Sequence, residues 1–119
     1  MSLKIKRQGI ATALTDAGLG LKGYASPPNQ PRIWDAWARW ETSVAGDNPY
    51  ALAFRDQWRV YIIVPADTDT ADDWISDSLE QLLEVLHHHL AITGYQPARV
   101  TLDGSAAAYN ALMITGESE

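Results

Sequence analysis

The stretch WRVYIIVPADTDTADDWISDSLEQLLEVLHHHL, residues 58–90, carries two hydrophobic periods in succession. Before Pro65 the apolar side chains alternate with mixed ones, which is the two-residue period of a strand. After Pro65 they recur at three- and four-residue intervals, which is the period of a helix that buries one face. We therefore predict a strand followed by a long amphipathic helix, roughly Ala71 to Ile92, which lies on a sheet and is stopped by Gly94.

The acidic run that opens this helix has two interpretations. As a calcium loop it would offer Asp67 and Asp69 as ligands, but the third ligand position is an alanine and Asp72 replaces the required glycine. As a helix start, Thr70 and Asp73 resemble a capping box, and the neighbouring carboxylates suit the positive end of the helix dipole. The helix start is favoured, and no metal site is predicted here.

Three consecutive histidines, His87–His89, stand near the predicted end of the same helix. Adjacent helical side chains point about 100° apart, so three neighbouring rings cannot converge on one metal ion. Cationic imidazoles would instead complement the negative end of the helix dipole. His89 falls towards the apolar side and is predicted to be half-buried or at an interface.

The segment GLGLKG, residues 18–23, has the letters of a dinucleotide-binding fingerprint. That fingerprint requires a strand before it and a helix after it. The preceding residues, Ser2 to Ala17, instead form one helical apolar stripe, and three prolines follow the glycines. We predict that Gly18 ends a helix whose N-cap is Ser2, and that no nucleotide cofactor is bound.

Three further segments show strand alternation: RIWDAWARWETS (32–43), ARVTL (98–102) and AAAYNALMIT (106–115). An Asp-Gly pair between the last two predicts a hairpin. The expected architecture is a single domain over residues 1–119. It belongs to the α+β class, with a mainly antiparallel sheet, two helices packed on one face and the order α-β-β-β-α-β-β.

The first of these segments is rich in tryptophan. Trp34 and Trp40 alternate with Trp37, so the three indoles fall on both faces of the strand. Helices on one side of a sheet can cover only one of these faces. We therefore expect the other face to expose an apolar patch, which is typical of an association surface; the alternative is a single tryptophan at a partly exposed rim.

The chain has 119 residues, no cysteine and a net charge of −6. No apolar run approaches the roughly 18 residues of a membrane span, and the N-terminus lacks a signal-peptide core, so we expect a soluble protein made in the cytoplasm without a membrane partner. Residues 1–60 hold eight basic and five acidic side chains, whereas residues 61–119 hold one basic, Arg99, and ten acidic. This division offers no basic track for nucleic acid but suits head-to-tail contact between copies.

The sequence lacks the motifs of common catalytic sites. There is no cysteine nucleophile, no Gly-x-Ser-x-Gly elbow, no His-Glu-x-x-His pair and no phosphate loop. We therefore expect no enzymatic activity, no catalytic residue, no bound metal and no cofactor.

Several phrases, in this order along the chain, resemble one known family. The opening MSLKIKRQGIATALTDAGL, then GYASPPNQP, FRDQWRVYIIVP, DDWISDSLEQLLEVL and the closing YNALMIT are similar to tail-terminator proteins of long-tailed bacteriophages, particularly small ones of actinobacteriophages. The likeness covers nearly the whole chain. The segment DAWARWETSVAGDNPYALA, residues 35–53, is the least similar part.

This resemblance implies a virion protein that is assembled in the host cytoplasm and located at the junction of head and tail. Its subunits would form a homo-hexameric ring on the last ring of tail tube protein, stop tube polymerisation and present a joint to the head-completion or neck protein. DNA would pass through the lumen without specific binding. For subunit contacts we predict Trp34, Trp37, Trp40 and Tyr50, with Lys4, Lys6 and Arg7 as partners for an acidic neighbour.

Two alternatives remain open. A head-closure or neck connector protein would have similar size and charge. A small bacterial enzyme or ligand-binding domain would use the tryptophans to line a pocket instead.

Overall fold

The computed structural model describes residues 3–46, 54–102 and 107–118. It confirms the α+β class and the order α-β-β-β-α-β-β, with helices packed against a five-stranded sheet whose strand order is β1-β2-β3-β5-β4. Only the short β1 is parallel to its neighbour, and the other pairings are antiparallel. The elements are α1 (Leu3–Thr15), β1 (Lys22–Tyr24), β2 (Asp35–Ala45), β3 (Phe54–Ile63), α2 (Thr68–His87), β4 (Ala91–Thr101) and β5 (Ala108–Ser118).

The sheet buries its main core on the side covered by both helices, which we call the helix face. The predicted alternation of β3 is confirmed, because Trp58, Val60 and Ile62 all point into this core. Residues of β2 and β5 join them from the same face, and both helices add apolar side chains from above. Other fully buried members are Ile10, Leu14, Ala36, Leu82, Leu86, Leu90, Leu112 and Ile114.

The glycine segment between α1 and β1 ends a helix, as predicted. Gly18 and Gly20 have φ values of 75° and 77°, the left-handed conformation that glycine adopts without strain. Gly23 lies so close to α1 that a Cβ added there would be 2.1 Å from the carbonyl oxygen of Ala11. The Gly23 N–H also donates to the Thr15 hydroxyl at 2.9 Å, which ties β1 to the last turn of the helix.

The bounds of α2 differ from the prediction at both ends. Asp67 is the N-cap, and its carboxylate accepts from the Asp69 N–H, so the proposed start at Ala71 with Thr70 as cap is wrong. The helix ends at His87 and β4 begins at Ala91, so the predicted end at Ile92 is wrong as well. Apolar residues continue into the core across this junction, which makes the hydrophobic period look unbroken.

The predicted hairpin of the last two strands is confirmed. β4 and β5 pair along their length, from Ala91 with Glu117 to Thr101 with Ala108, and the intervening Asp-Gly pair lies outside the described residues. Gly94, which we expected to stop the helix, instead follows an irregularity in the β4 register at Thr93.

Candidate functional site

The three predicted contact tryptophans occupy three different environments. Trp37 lies on the side of the sheet opposite the helices, which we call the open face, and it is only 1% exposed. The expectation that this face leaves its tryptophan exposed is therefore wrong for Trp37. Its ring packs 5.9 Å from that of Tyr61, and a second, smaller cluster surrounds it that also contains Tyr24, Ile63, Val100, Leu102, Tyr109 and Ala111.

Trp34 precedes β2 and is half-buried against the main core. It occupies a turn closed by a hydrogen bond from the Asp35 N–H to the Arg32 carbonyl at 3.0 Å, and its φ of 75° is rare for a bulky residue. The backbone N–H of Trp34 donates to the Ile63 carbonyl at 2.8 Å, and the indole ring packs on that of Trp74. Contacts within the subunit therefore hold Trp34 in this conformation.

Trp40 is the exposed member of the three, with 41% of its surface accessible. It pairs directly with Trp58 across β2 and β3, so it lies on the helix face. Its indole N–H donates to the Ser43 hydroxyl at 3.2 Å, and that hydroxyl donates to Asp56 at 2.5 Å. This small polar chain orients the ring while leaving its edge open to solvent.

From Trp40 onward β2 stays paired with β3 as far as Ala45 and Phe54, and we call this end of the strand pair the hairpin arm (residues 40–45 and 54–58). β5 lies along the other side of β3 as far as Asp56, so only the last residues of the arm extend beyond the rest of the sheet. Phe54 is 53% exposed and shares a face with Asp56 and Trp58, because alternate residues of a strand point the same way. Trp40 and Phe54 therefore present two aromatic rings on one side of the arm. Tyr50, the fourth predicted contact, lies outside the described residues.

A groove with a volume of about 830 Å³ lies beside β2. β1 pairs only with Asp35–Trp37, so the outer edge of β2 from Ala38 onward has no paired strand among the described residues. The start of α1, the proline link and the end of β4 form the rest of the wall. We call this cavity the arginine groove, because Arg7, Arg39 and Arg99 all line it.

The arginines in and beside this groove differ in whether they have an ion-pair partner. On the neighbouring strand, Arg59 forms a two-point ion pair with Glu41, and hydrogen bonds to Tyr61 and Glu41 raise the pKa of its guanidinium. By contrast, none of the three groove arginines forms an ion pair with any described residue. The buried Nε of Arg7 also has no hydrogen-bond acceptor in the described part of the chain.

Negative charge is concentrated on α2. Asp73, Asp77, Glu80 and Glu84 are exposed and follow the four- and three-residue spacing of one helix face, and we call them the acidic stripe. Helix α2 contains no lysine or arginine, and none of the four carboxylates forms an ion pair with a described residue.

The predicted basic contacts of α1 do not act together. Arg7 lines the groove, whereas Lys6 is close enough to His89 to lower the pKa of that imidazole, and Lys4 is exposed elsewhere on the helix. Sequence reasoning missed Arg39 and Arg99 as members of the same surface. The isolated position of Arg99 in an acidic half was the available signal, but only the fold brings it near Arg39.

Among residues 3–46, 54–102 and 107–118, no group of three or more potential ligand side chains could hold a metal ion. No helix in these ranges is both long and apolar enough to cross a membrane. No protein-family model matches the sequence, and no curated protein matches it.

Proposed function

We propose that this chain is a structural virion protein of a long-tailed bacteriophage, a tail terminator. In this proposal copies of the chain form a ring on the last ring of the tail tube, stop its growth and provide the joint to the head or neck. The proposal combines the resemblance of the sequence phrases with the chemistry of the surface.

One observation carries the assembly part of this proposal: the hairpin arm holds Trp40 and Phe54 in the open, 41% and 53% exposed, on the same side. Exposed aromatic rings at the end of a strand pair are costly in water and are characteristic of association surfaces. On this side of the arm the Ser43 hydroxyl bonds with Trp40 and Asp56, and the Trp58 indole donates to Ser118, but both Trp40 and Phe54 stay exposed.

A ring follows from contacts that are not self-complementary. When one surface of a subunit binds a different surface of the next, the copies close into a ring if the rotation between them is correct. Such a ring has two unlike faces. One face can imitate the next layer of the tube, while the other lacks the complementary surface and so ends polymerisation.

The acidic character of the chain is compatible with this role. A net charge of −6 disfavours adhesion to a phosphate backbone, so DNA could move through a lumen formed by such subunits without being held.

Electron microscopy of phage particles that lack the protein tests the proposal. Overlong tail tubes are expected for a terminator, and normal tubes detached from heads would instead support a head-closure or neck connector protein. A monomer whose melting temperature rises with a small molecule, together with normal particles when it is absent, would support a ligand-binding domain.

A further inference from the structure

We propose that the arginine groove is the docking site for the acidic stripe of α2 on a neighbouring copy of the chain. This inference rests on the proposed ring, and it assigns one of the two unlike surfaces in each subunit contact. The groove supplies the cations and the stripe supplies the carboxylates.

The groove is suited to carboxylates by its composition. Arg7, Arg39 and Arg99 line one cavity and lack ion-pair partners among the described residues. Guanidinium groups bind carboxylates in a planar, two-point geometry, as Arg59 does with Glu41 on the adjoining strand.

The acidic stripe is suited to the groove because its carboxylates repel one another and lack cationic partners among the described residues. Like charges four residues apart on a helix repel each other and destabilise it, and Asp73 with Asp77 and Glu80 with Glu84 form two such pairs. No described lysine or arginine forms an ion pair with these carboxylates. A row of guanidinium groups from a second copy would offset this repulsion.

The two surfaces cannot meet within one subunit. No residue of α2 lines the groove, whose walls come from α1, the proline link, β2, β3 and the end of β4. The contact is therefore made between copies, and it joins one surface to a different one. An open row of copies joined in this way has an unfilled groove at one end and an unfilled stripe at the other until the ring closes.

A sister copy is favoured over nucleic acid as the occupant. Three arginines in one cavity are too few to track a phosphate backbone, and the net charge of −6 repels a polyanion at longer range. The carboxylates of the stripe are local, and every copy carries them.

Charge reversal followed by re-pairing tests this contact. R39E/R99E and D77R/E80R should each weaken self-association by roughly tenfold or more in sedimentation velocity, while an equimolar mixture of the two should regain association that neither shows alone. Association of the wild-type chain should also weaken as salt increases. R32E, which reverses one charge at an exposed site outside the groove, is the control for charge reversal elsewhere on the surface; it shifts the net charge by −2, where R39E/R99E shifts it by −4. Circular dichroism checks that each variant is folded.

A second measurement tests the same contact without requiring strong self-association. Because the chain has no cysteine, S76C on α2 beside the stripe and T101C on the groove wall can be joined by a short thiol cross-linker in a mixture of two tagged copies. We expect a cross-linked heterodimer, and a much lower yield when Q96C, on β4 but outside the groove, replaces T101C. Equal yields from both pairs would overturn the inference.

These outcomes separate the inference from the proposed function. If the wild-type chain assembles and R39E/R99E assembles equally well, the groove is not the contact, but a terminator ring built on other surfaces stands. If R39E/R99E instead loses binding to a DNA oligonucleotide or to inorganic phosphate that the wild-type chain shows, the groove is an anion site and the inference fails. Overlong tubes in particles lacking the protein test the terminator role independently of either result.

Discussion

The indole ring of Trp34 packs on that of Trp74, with 4.7 Å between centroids and 37° between planes. This contact joins the turn before β2 to α2, two segments that are far apart in the sequence. It also explains how a bulky residue is kept at a φ of 75°, because the ring packing and the hydrogen bond from the Trp34 N–H to Ile63 both require that conformation.

Replacing Trp34 should separate the packing energy from the backbone strain. We expect W34A to lower the free energy of unfolding by about 1–3 kcal/mol, because the ring contact is lost while the unfavourable φ remains. W34G should be more stable than W34A by about 1 kcal/mol, because glycine adopts positive φ without strain. Urea denaturation of both variants measures this order, and a glycine variant less stable than the alanine variant would contradict it.

Gly23 should tolerate no side chain. A Cβ at this position would overlap the carbonyl oxygen of Ala11 in the backbone of α1, so the helix must move away from β1. We expect G23A to lower the free energy of unfolding by about 3 kcal/mol or more. G20A is the matched control, because Gly20 has positive φ but open space around it, and it should cost only about 1 kcal/mol. Similar losses in both variants would show that close approach to the helix is unimportant.

The sequence predicts those parts of the fold in which one local pattern decides the structure. The strand alternation of β3 and the glycine stop after α1 were predicted from hydrophobic period and backbone freedom alone. The end of α2 was wrong because Leu90 continues the apolar period after the helix has ended at His87. Its start was wrong because several neighbouring Asp and Thr residues can all act as caps, and only the fold selects Asp67.

The candidate site was less predictable because it depends on contacts between distant segments. Trp37 is buried by apolar side chains from neighbouring strands on the open face. No local sequence pattern predicts that these side chains cover it. Likewise Arg7, Arg39 and Arg99 belong to three elements and share a cavity only through the strand order. The acidic stripe, in contrast, is a property of one helix and is readable from its spacing alone.

His89 should make the stability of the subunit depend on pH. Its ring lies against Gly9 of α1, where burial lowers the pKa of the imidazole, with further lowering by Lys6 and His88. Since the unfolded chain then takes up the proton first, stability is fully present above the ordinary pKa of about 6.5 and falls as the pH drops below it. The fall levels off once the pH is below the pKa of the folded state.

Comparison of two glutamine variants measures this effect. The urea midpoint of the wild-type chain should decrease between about pH 7.5 and pH 5.5, and H89Q should show a smaller decrease over the same window. H87Q replaces an exposed histidine of the same run and should keep the wild-type slope. If H87Q and H89Q have equal slopes, burial of His89 against α1 has no energetic consequence.

The hairpin arm should contribute to association without contributing to the stability of the subunit. Phe54 is 53% exposed, so F54S removes an aromatic ring from solvent and should change the free energy of unfolding by no more than about 0.5 kcal/mol. If the arm is a contact between copies, the same change should raise the concentration needed for assembly, because a buried aromatic ring is among the largest contributors to an interface. Sedimentation velocity over a concentration series compares F54S with I5S, which removes a similarly exposed apolar side chain from α1 rather than from the arm. Equal effects of the two substitutions on assembly would mean that general surface hydrophobicity, rather than the arm, drives association.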